Sequence, residues 1–297
     1  MYEQGTDVRL LTALLLRVEN KIAIDAGAER GAFTQAFLDH GAEKVFAIEP
    51  YPPNVTALKE RFGVHPQVEV LALALGERDE TATLHLIEDR AGENVSSYHS
   101  LARASDTPLL HTVGALPVSC RTLGSLAAEG VLPARVGILK IDAEGNDLAI
   151  LRGMGDFFAM VVMIEYWDDL PDAVGPSPFA LADADQFMKA RGYQQCAVIK
   201  RRDEFETLEL NDDRTRPGDW GNAIFLHESV FPQMPSEVVE AAVTVHARLI
   251  DKAVLFRTEC VKRLQVIEEQ AKAIEYFREQ LKPAPFSVRL QRLFRPE

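Results

Sequence analysis

Through the first two thirds of the chain, short runs rich in Val, Ile and Leu alternate with stretches whose apolar residues recur every three or four positions. The runs fall at 21–25, 44–49, 68–75, 81–87, 136–141, 159–166, 193–199 and 222–227. Helical patterns fall between them at 31–40, 53–62, 147–153 and 180–192. Strand–helix alternation of this kind builds a mostly parallel sheet with helices on both faces. Runs 21–25 and 136–141 are apolar almost throughout, as burial on both faces demands. Run 81–87 alternates more and is expected to pair beside 68–75. The fold class is α/β, with one domain over residues 1–232 introduced by a short amphipathic helix around 10–16.

Two stretches break the rhythm. Residues 88–116 are polar, turn-rich and without a clear period, which predicts a long loop acting as a lid. Residues 168–178 form a second long connection. From 235 the apolar positions advance by threes and fours as far as 281, and prolines follow at 283 and 285. This spacing predicts one long helix over 235–282, ~65 Å at the standard rise, more than a domain of this size can cover. It is expected to form a homo-oligomer, as a coiled coil, or to dock a partner protein, although Lys252 and Arg278 interrupt the stripe. The tail, 283–297, sets Val288, Leu290, Leu293 and Phe294 among arginines, a pattern suited to an anionic membrane surface or an acidic partner.

Charge and cysteine usage narrow the function classes. A formal net charge of −13 repels a phosphate backbone and argues against nucleic acid as the main partner. No apolar run approaches the ~20 residues of a membrane span, and the first 21 residues lack the cleavage site of a secretory leader. Cys120, Cys196 and Cys260 lie far apart without metal-ligand spacing. A reduced, cytoplasmic protein is expected, with the basic tail as its route to the inner face of a membrane.

Residues 25–31 read DAGAERG, at the end of a strand and the start of a helix. Gly27 permits a sharp turn, and Gly31 permits close packing or close approach of a ligand. The dinucleotide fingerprint needs a further glycine where Glu29 stands, and a carboxylate there repels a pyrophosphate. The same carboxylate tolerates a sulfonium or ammonium. The turn therefore points to a nucleoside ligand without phosphates and with a positive end. The next strand ends in Glu49, where α/β nucleotide folds place an acid on ribose hydroxyls. Pro50 and the Pro52-Pro53 pair fix the exit of that strand and start the next helix.

The blocks DAGAERG, VFAIEPYPPNVTAL, LALALGERDETATLHL, ILKIDAEGNDLAILRG and VVMIEY, in this order, resemble the FkbM family of S-adenosylmethionine-dependent methyltransferases over roughly residues 2–228. The resemblance implies a class I methyltransferase fold, a Rossmann-like seven-stranded sheet whose last strand is antiparallel. It implies O-methylation of a sugar in a glycan or glycolipid, or of a hydroxyl on a small secondary metabolite. Carried over, Asp25, Gly27, Ala28, Glu29 and Gly31 line the methionine end of the cofactor, Glu49 with Pro50 takes the ribose, and Asp142 borders the cofactor where its strand opens onto the cleft. Leu73 and Ala74 flank the adenine, or are plain core. The chain departs from the family at Glu29-Arg30 and at Asn146-Asp147.

Methyl transfer to a hydroxyl needs alignment and a base that takes the hydroxyl proton, ideally with a cation nearby for the developing alkoxide. The segment ILKIDAEGND supplies candidates at a strand's carboxyl end: Lys140 and Asp142 share one face, and Glu144 follows in the turn. Glu165 ends the next strand. Asp142, Glu144 and Glu165 also match the oxygen ligands of a magnesium-type ion, and the spacing leaves the divalent cation undecided. His99 and His111 of the long loop are further candidates for base or acceptor contact, and Ser96, Ser97 and Tyr98 for closing over the ligands. Trp167 and Trp220 are either core or platforms for a sugar face. A nicotinamide-dependent oxidoreductase and a degenerate methyltransferase scaffold acting through the long helix are the rival readings.

Overall fold

In a computed structural model the chain is described for residues 5–280, apart from 94, 96, 97, 103–105, 172–173 and 204. The element order is α1(Thr6–Arg17) β1(Ile22–Ala26) α2(Ala32–Asp39) β2(Lys44–Ile48) α3(Pro52–Phe62) β3(Val68–Leu71) β4(Ala74–Leu75) β5(Glu80–Asp89) β6(Leu110–Arg121) α4(Leu123–Ala128) β7(Arg135–Ile141) α5(Asp147–Arg152) β8(Phe158–Trp167) α6(Leu181–Lys189) β9(Gln195–Arg202) β10(Phe205–Leu210) β11(Trp220–Leu226) α7(Ser236–Gln280). Eight strands form one sheet in the order β10-β9-β11-β8-β7-β1-β2-β3. β3, β2, β1, β7 and β8 run parallel, and β11 is antiparallel to both its neighbours. The expected seven strands are present, with β10 added at the edge as an antiparallel partner of β9.

Alternate residues of each strand divide between two cores, as a period of two requires. Ile24, Leu139, Val162 and Phe225 pack on one face with Leu148, Leu151, Ala184 and Met188 of α5 and α6. Ala23, Ile138, Val161 and Ile224 pack on the other with Phe37 of α2 and a row from α1, Leu10, Leu11, Leu14 and Leu15. Each of those buried leucines contributes roughly 1.5–3 kcal/mol. α3 opens with two prolines in its first turn, where a missing N–H costs nothing.

Two expectations are corrected here. The 81–87 run does not pair beside 68–75. β5 instead pairs antiparallel with β6, β4 joins the far end of β6, and the three strands make a separate sheet. Residues 88–116 are accordingly no continuous loop, since β5 extends to Asp89 and β6 begins at Leu110. The pattern concealed β6 because Val113, Ala115, Pro117 and Ser119 all lie exposed and Gly114 and Pro117 read as strand breakers. Pro117 is tolerated because β4 pairs only with Cys120 and Arg121, leaving one side of β6 free at that point.

The compact unit runs to His246, past the expected boundary at 232, because Val238, Ala242 and Val245 of α7 are buried in its second core. The chain from Ala247 belongs to a second unit. Its described part continues α7, and carries Ile250, Val254, Leu255, Phe256, Leu264 and Ile267 exposed. The basic tail, 283–297, and Ser96 and Ser97 lie outside the described residues. Among the described residues no helix is long and apolar enough to cross a membrane.

Candidate active site

A cavity of about 210 Å³ opens at the carboxyl ends of β1, β2 and β7. Its floor is the turn after β1, held by Gly27 N–H and Ala28 N–H donating to Ile48 O. Gly27 has φ +72, and a Cβ there would collide with the carbonyl oxygen of Asp142. Only glycine fits, so the β1 turn and the β7 tip meet backbone to backbone. Gly31 also has a positive φ, but a Cβ at Gly31 would meet Phe62 and Leu58. It is a packing position, away from the cavity wall.

Asp25 is fully buried and is not on the cavity wall. Its Oδ2 accepts from Thr34 N–H at 2.9 Å and Thr34 Oγ1 at 2.7 Å, and its Oδ1 lies 3.2 Å from Lys140 Nζ. Lys140, 2% exposed, donates to Gly27 O at 2.8 Å and Ala26 O at 3.3 Å and lies 3.5 Å from Asp142. Burial pulls the Lys140 ammonium down, but Asp25 and Asp142 outweigh it and its pKa ends above the ordinary value. It lines the cavity while its ammonium faces Ala26 O, Gly27 O, Asp25 and Asp142, so it ties the β1 turn to the β7 tip. Asp25 thus lies behind the turn, and of the two only Lys140 reaches the cavity.

Glu49 does reach the cavity. Its two carboxylate oxygens accept from Glu29 N–H and Tyr51 N–H, each at 2.9 Å. Burial pushes its pKa up to about 7 against the opposing pull of those N–H groups. Glu29 itself has φ +48, the left-handed conformation that presents its N–H to Glu49. Leu73, Ala74, Pro50, Ala28 and Glu29 all line the cavity beside Glu49.

On the opposite rim the structure brings three acids together. One carboxylate oxygen from each of Asp142, Glu144 and Glu165 lies within 4.8 Å of the others, all half-buried. Asp147 sets this up from below, accepting from Glu165 N–H at 2.9 Å and Ala143 N–H at 3.3 Å, which ties the tip of β8 to the turn after β7. Burial, then the Asp142 charge, lifts Asp147 to about 7. Burial, then Asp142 and Glu144, drives Glu165 well above its ordinary range. Tyr98 stands by this cluster: burial raises its phenol, and Glu144 and Glu165 raise it further.

Residues 25–194, more than half of the chain, match the family described as the methyltransferase FkbM domain. The protein belongs to this family. Among curated proteins, Methyltransferase 1 of Beauveria bassiana (strain ARSEF 2860) is 24% identical over 211 residues, spanning 65% of this chain and 78% of that one. Among solved structures, methyltransferase FkbM from Methylobacillus flagellatus KT aligns at TM-score 0.40 and 14% identity, over 70% of this chain and 44% of the other. A putative rRNA-methylase from Clostridium thermocellum aligns at TM-score 0.41 and 6% identity, over 76% and 98%.

An FkbM-family protein is an S-adenosylmethionine-dependent methyltransferase, and the cavity suits that cofactor. A buried acid able to take ribose hydroxyls stands at the β2 tip, and an apolar slot with Leu73, Ala74 and Leu84 lies beyond it. The other sequence candidates divide. His99 lines the cavity, whereas His111 pairs with Glu88 in the β5–β6 ladder and does not. Trp167 is 4% exposed in a core with Ile87, Leu110 and Tyr98, so its core reading holds. Trp220 is exposed with the Arg201 guanidinium 5.2 Å from its ring, and it is not among the cavity's lining residues. Sequence reasoning missed Asn146, which lines the cavity and donates to Leu75 O at 2.8 Å, and Asp147 beneath the acids. The signal for both lay in the NDLAIL segment, where two polar residues precede a buried helix.

Proposed function

We propose that this protein transfers a methyl group to a hydroxyl of a sugar in a glycan or glycolipid, with a carboxylate of the Asp142–Glu144–Glu165 cluster taking the hydroxyl proton. S-adenosylmethionine, when bound, supplies an electrophilic methyl group, with Glu49 on its ribose and the Gly27–Glu29 turn at its amino-acid end. The supporting observation is the crowding of three half-buried acids, of which Asp142 and Glu144 line the cofactor cavity and Glu165 stands behind them. Their mutual repulsion and burial raise Glu165, and a carboxyl with a raised pKa is a stronger base for a hydroxyl once ionised. The family resemblance supports a sugar acceptor. A surface of net charge −13 disfavours a nucleic-acid acceptor.

The decisive experiment incubates the protein with S-adenosylmethionine and glycan fractions and looks for a gain of one methyl group by mass spectrometry. Methylated sugar hydroxyls are expected; methylation confined to nitrogen or to small metabolites overturns the acceptor class. Excess chelator should leave the rate unchanged, and a rate restored only by magnesium would assign the three acids to a cation instead. The protein works in the cytoplasm, with residues 283–297 as its contact with the inner membrane face. Two copies pair through the part of α7 that follows His246 and exposes Leu264 and Ile267, and light scattering should return twice the chain mass.

A further inference from the structure

We propose that His99 reads the purine ring of the cofactor, donating from Nε2 to a ring nitrogen. This rests on the S-adenosylmethionine reading above and names a recognition residue for it. His99 lies between β5 and β6, and its neighbour Ser100 pins it on two sides. Ser100 exchanges backbone hydrogen bonds with His85 at 2.8 and 3.2 Å, and its Oγ donates to Glu144 O at 2.7 Å. The imidazole is 8% exposed, and Tyr51 meets it edge to face with centroids 4.5 Å apart. The ring is thus held in one orientation against the residue that follows Glu49-Pro50.

Its protonation follows from one contact. His99 Nδ1 lies 3.0 Å from the backbone N of Ile87, which has a proton to donate. Nδ1 must therefore carry the lone pair, and the proton of the neutral ring sits on Nε2. Burial lowers the imidazole pKa, which favours that neutral form. Nε2 is buried and has no acceptor among the described residues, an arrangement that costs free energy unless a ligand supplies one. A base is the wrong role for this ring, since its available nitrogen already bears the proton.

The cavity around His99 tells which acceptor fits. Leu73, Ala74, Leu84 and Leu101 line the cavity with it, and none offers a polar side-chain atom. No acid follows β3 there to hold an exocyclic amine. An apolar stretch of wall with the His99 N–H beside it, in the cavity that also holds the acid assigned to ribose, matches a flat heteroaromatic ring bearing acceptor nitrogens.

The test is calorimetric titration of the wild type and His99→Phe with S-adenosylhomocysteine and its 1-, 3- and 7-deaza analogues. The wild type should bind one analogue about tenfold more weakly than the parent, and His99→Phe should bind parent and that analogue alike, both about tenfold more weakly than the wild type binds the parent. Equal wild-type affinity for all four ligands overturns the proposal, as does a variant that keeps the discrimination. Should His99→Phe fail to fold, an equal or unequal wild-type series still decides. If the wild type binds no S-adenosylhomocysteine at all, the cofactor reading falls first, and this inference with it.

Discussion

Asp25, beneath the β1 turn, and Glu49, at the β2 tip, each accept two hydrogen bonds from their own neighbourhood, Thr34 in one case and the Glu29 and Tyr51 N–H groups in the other. Asp142, Glu144 and Glu165, on the β7–β8 rim, face one another instead. The first pair is built to hold a fixed shape: donors satisfy the oxygens, and glycine at 27 lets the backbone close around them. The second set crowds its charges, and burial together with Asp142 and Glu144 raises Glu165 well above its ordinary range. The contrast teaches that acids alike in sequence are assigned by their donors. Where N–H groups point at them their shape is fixed; where other acids point at them they fit the base of the proposed reaction.

The sharpest way to break this contrast is to neutralise the second rim. Glu165→Gln and Asp142→Asn should lower kcat by about 10²–10⁴ while leaving affinity for S-adenosylhomocysteine within about twofold, read by steady-state kinetics and calorimetry. A loss of cofactor affinity equal to the loss of rate would move these acids to the binding rim. The backbone contact that joins the rims comes next. Gly27→Ala must accommodate a Cβ against Asp142 O at φ +72 and should cost at least ~2 kcal/mol, seen as a lower denaturation midpoint.

The sheet was legible because β1, β2, β7 and β8 are buried on both faces and read as unbroken apolar runs. The turn residues 25–31 and the acid at 49 were legible because their chemistry follows from position in a βα unit. The β5–β6 sheet was not, since half of β6 faces solvent and its glycine and proline argue against a strand. The separation of Asp25 from the cavity was also hidden. Sequence spacing puts it at the strand's end, but strand alternation and the Thr34 donors turn it beneath the turn. The tautomer of His99 depends on a contact with Ile87 twelve positions away, and no local pattern announces it.

Glu49 gives the smallest effect and the most direct test, because the whole account requires a phosphate-free adenosine compound on the β1–β2 rim. Its folded pKa of about 7, like that of Asp147, stands above the ordinary carboxyl value. The stability these two groups contribute to the free protein is therefore whole below pH ~4 and is lost as pH rises through about 7. Binding that uses the ionised carboxylate runs the other way and strengthens over the same rise. Titrating the wild type and Glu49→Gln with S-adenosylhomocysteine and with NAD, at pH 6 and pH 8, measures this. The account predicts binding of S-adenosylhomocysteine alone, tighter at pH 8, and about tenfold weaker and pH-independent in Glu49→Gln. Binding of NAD in its place, or an unchanged affinity in the variant, would contradict it.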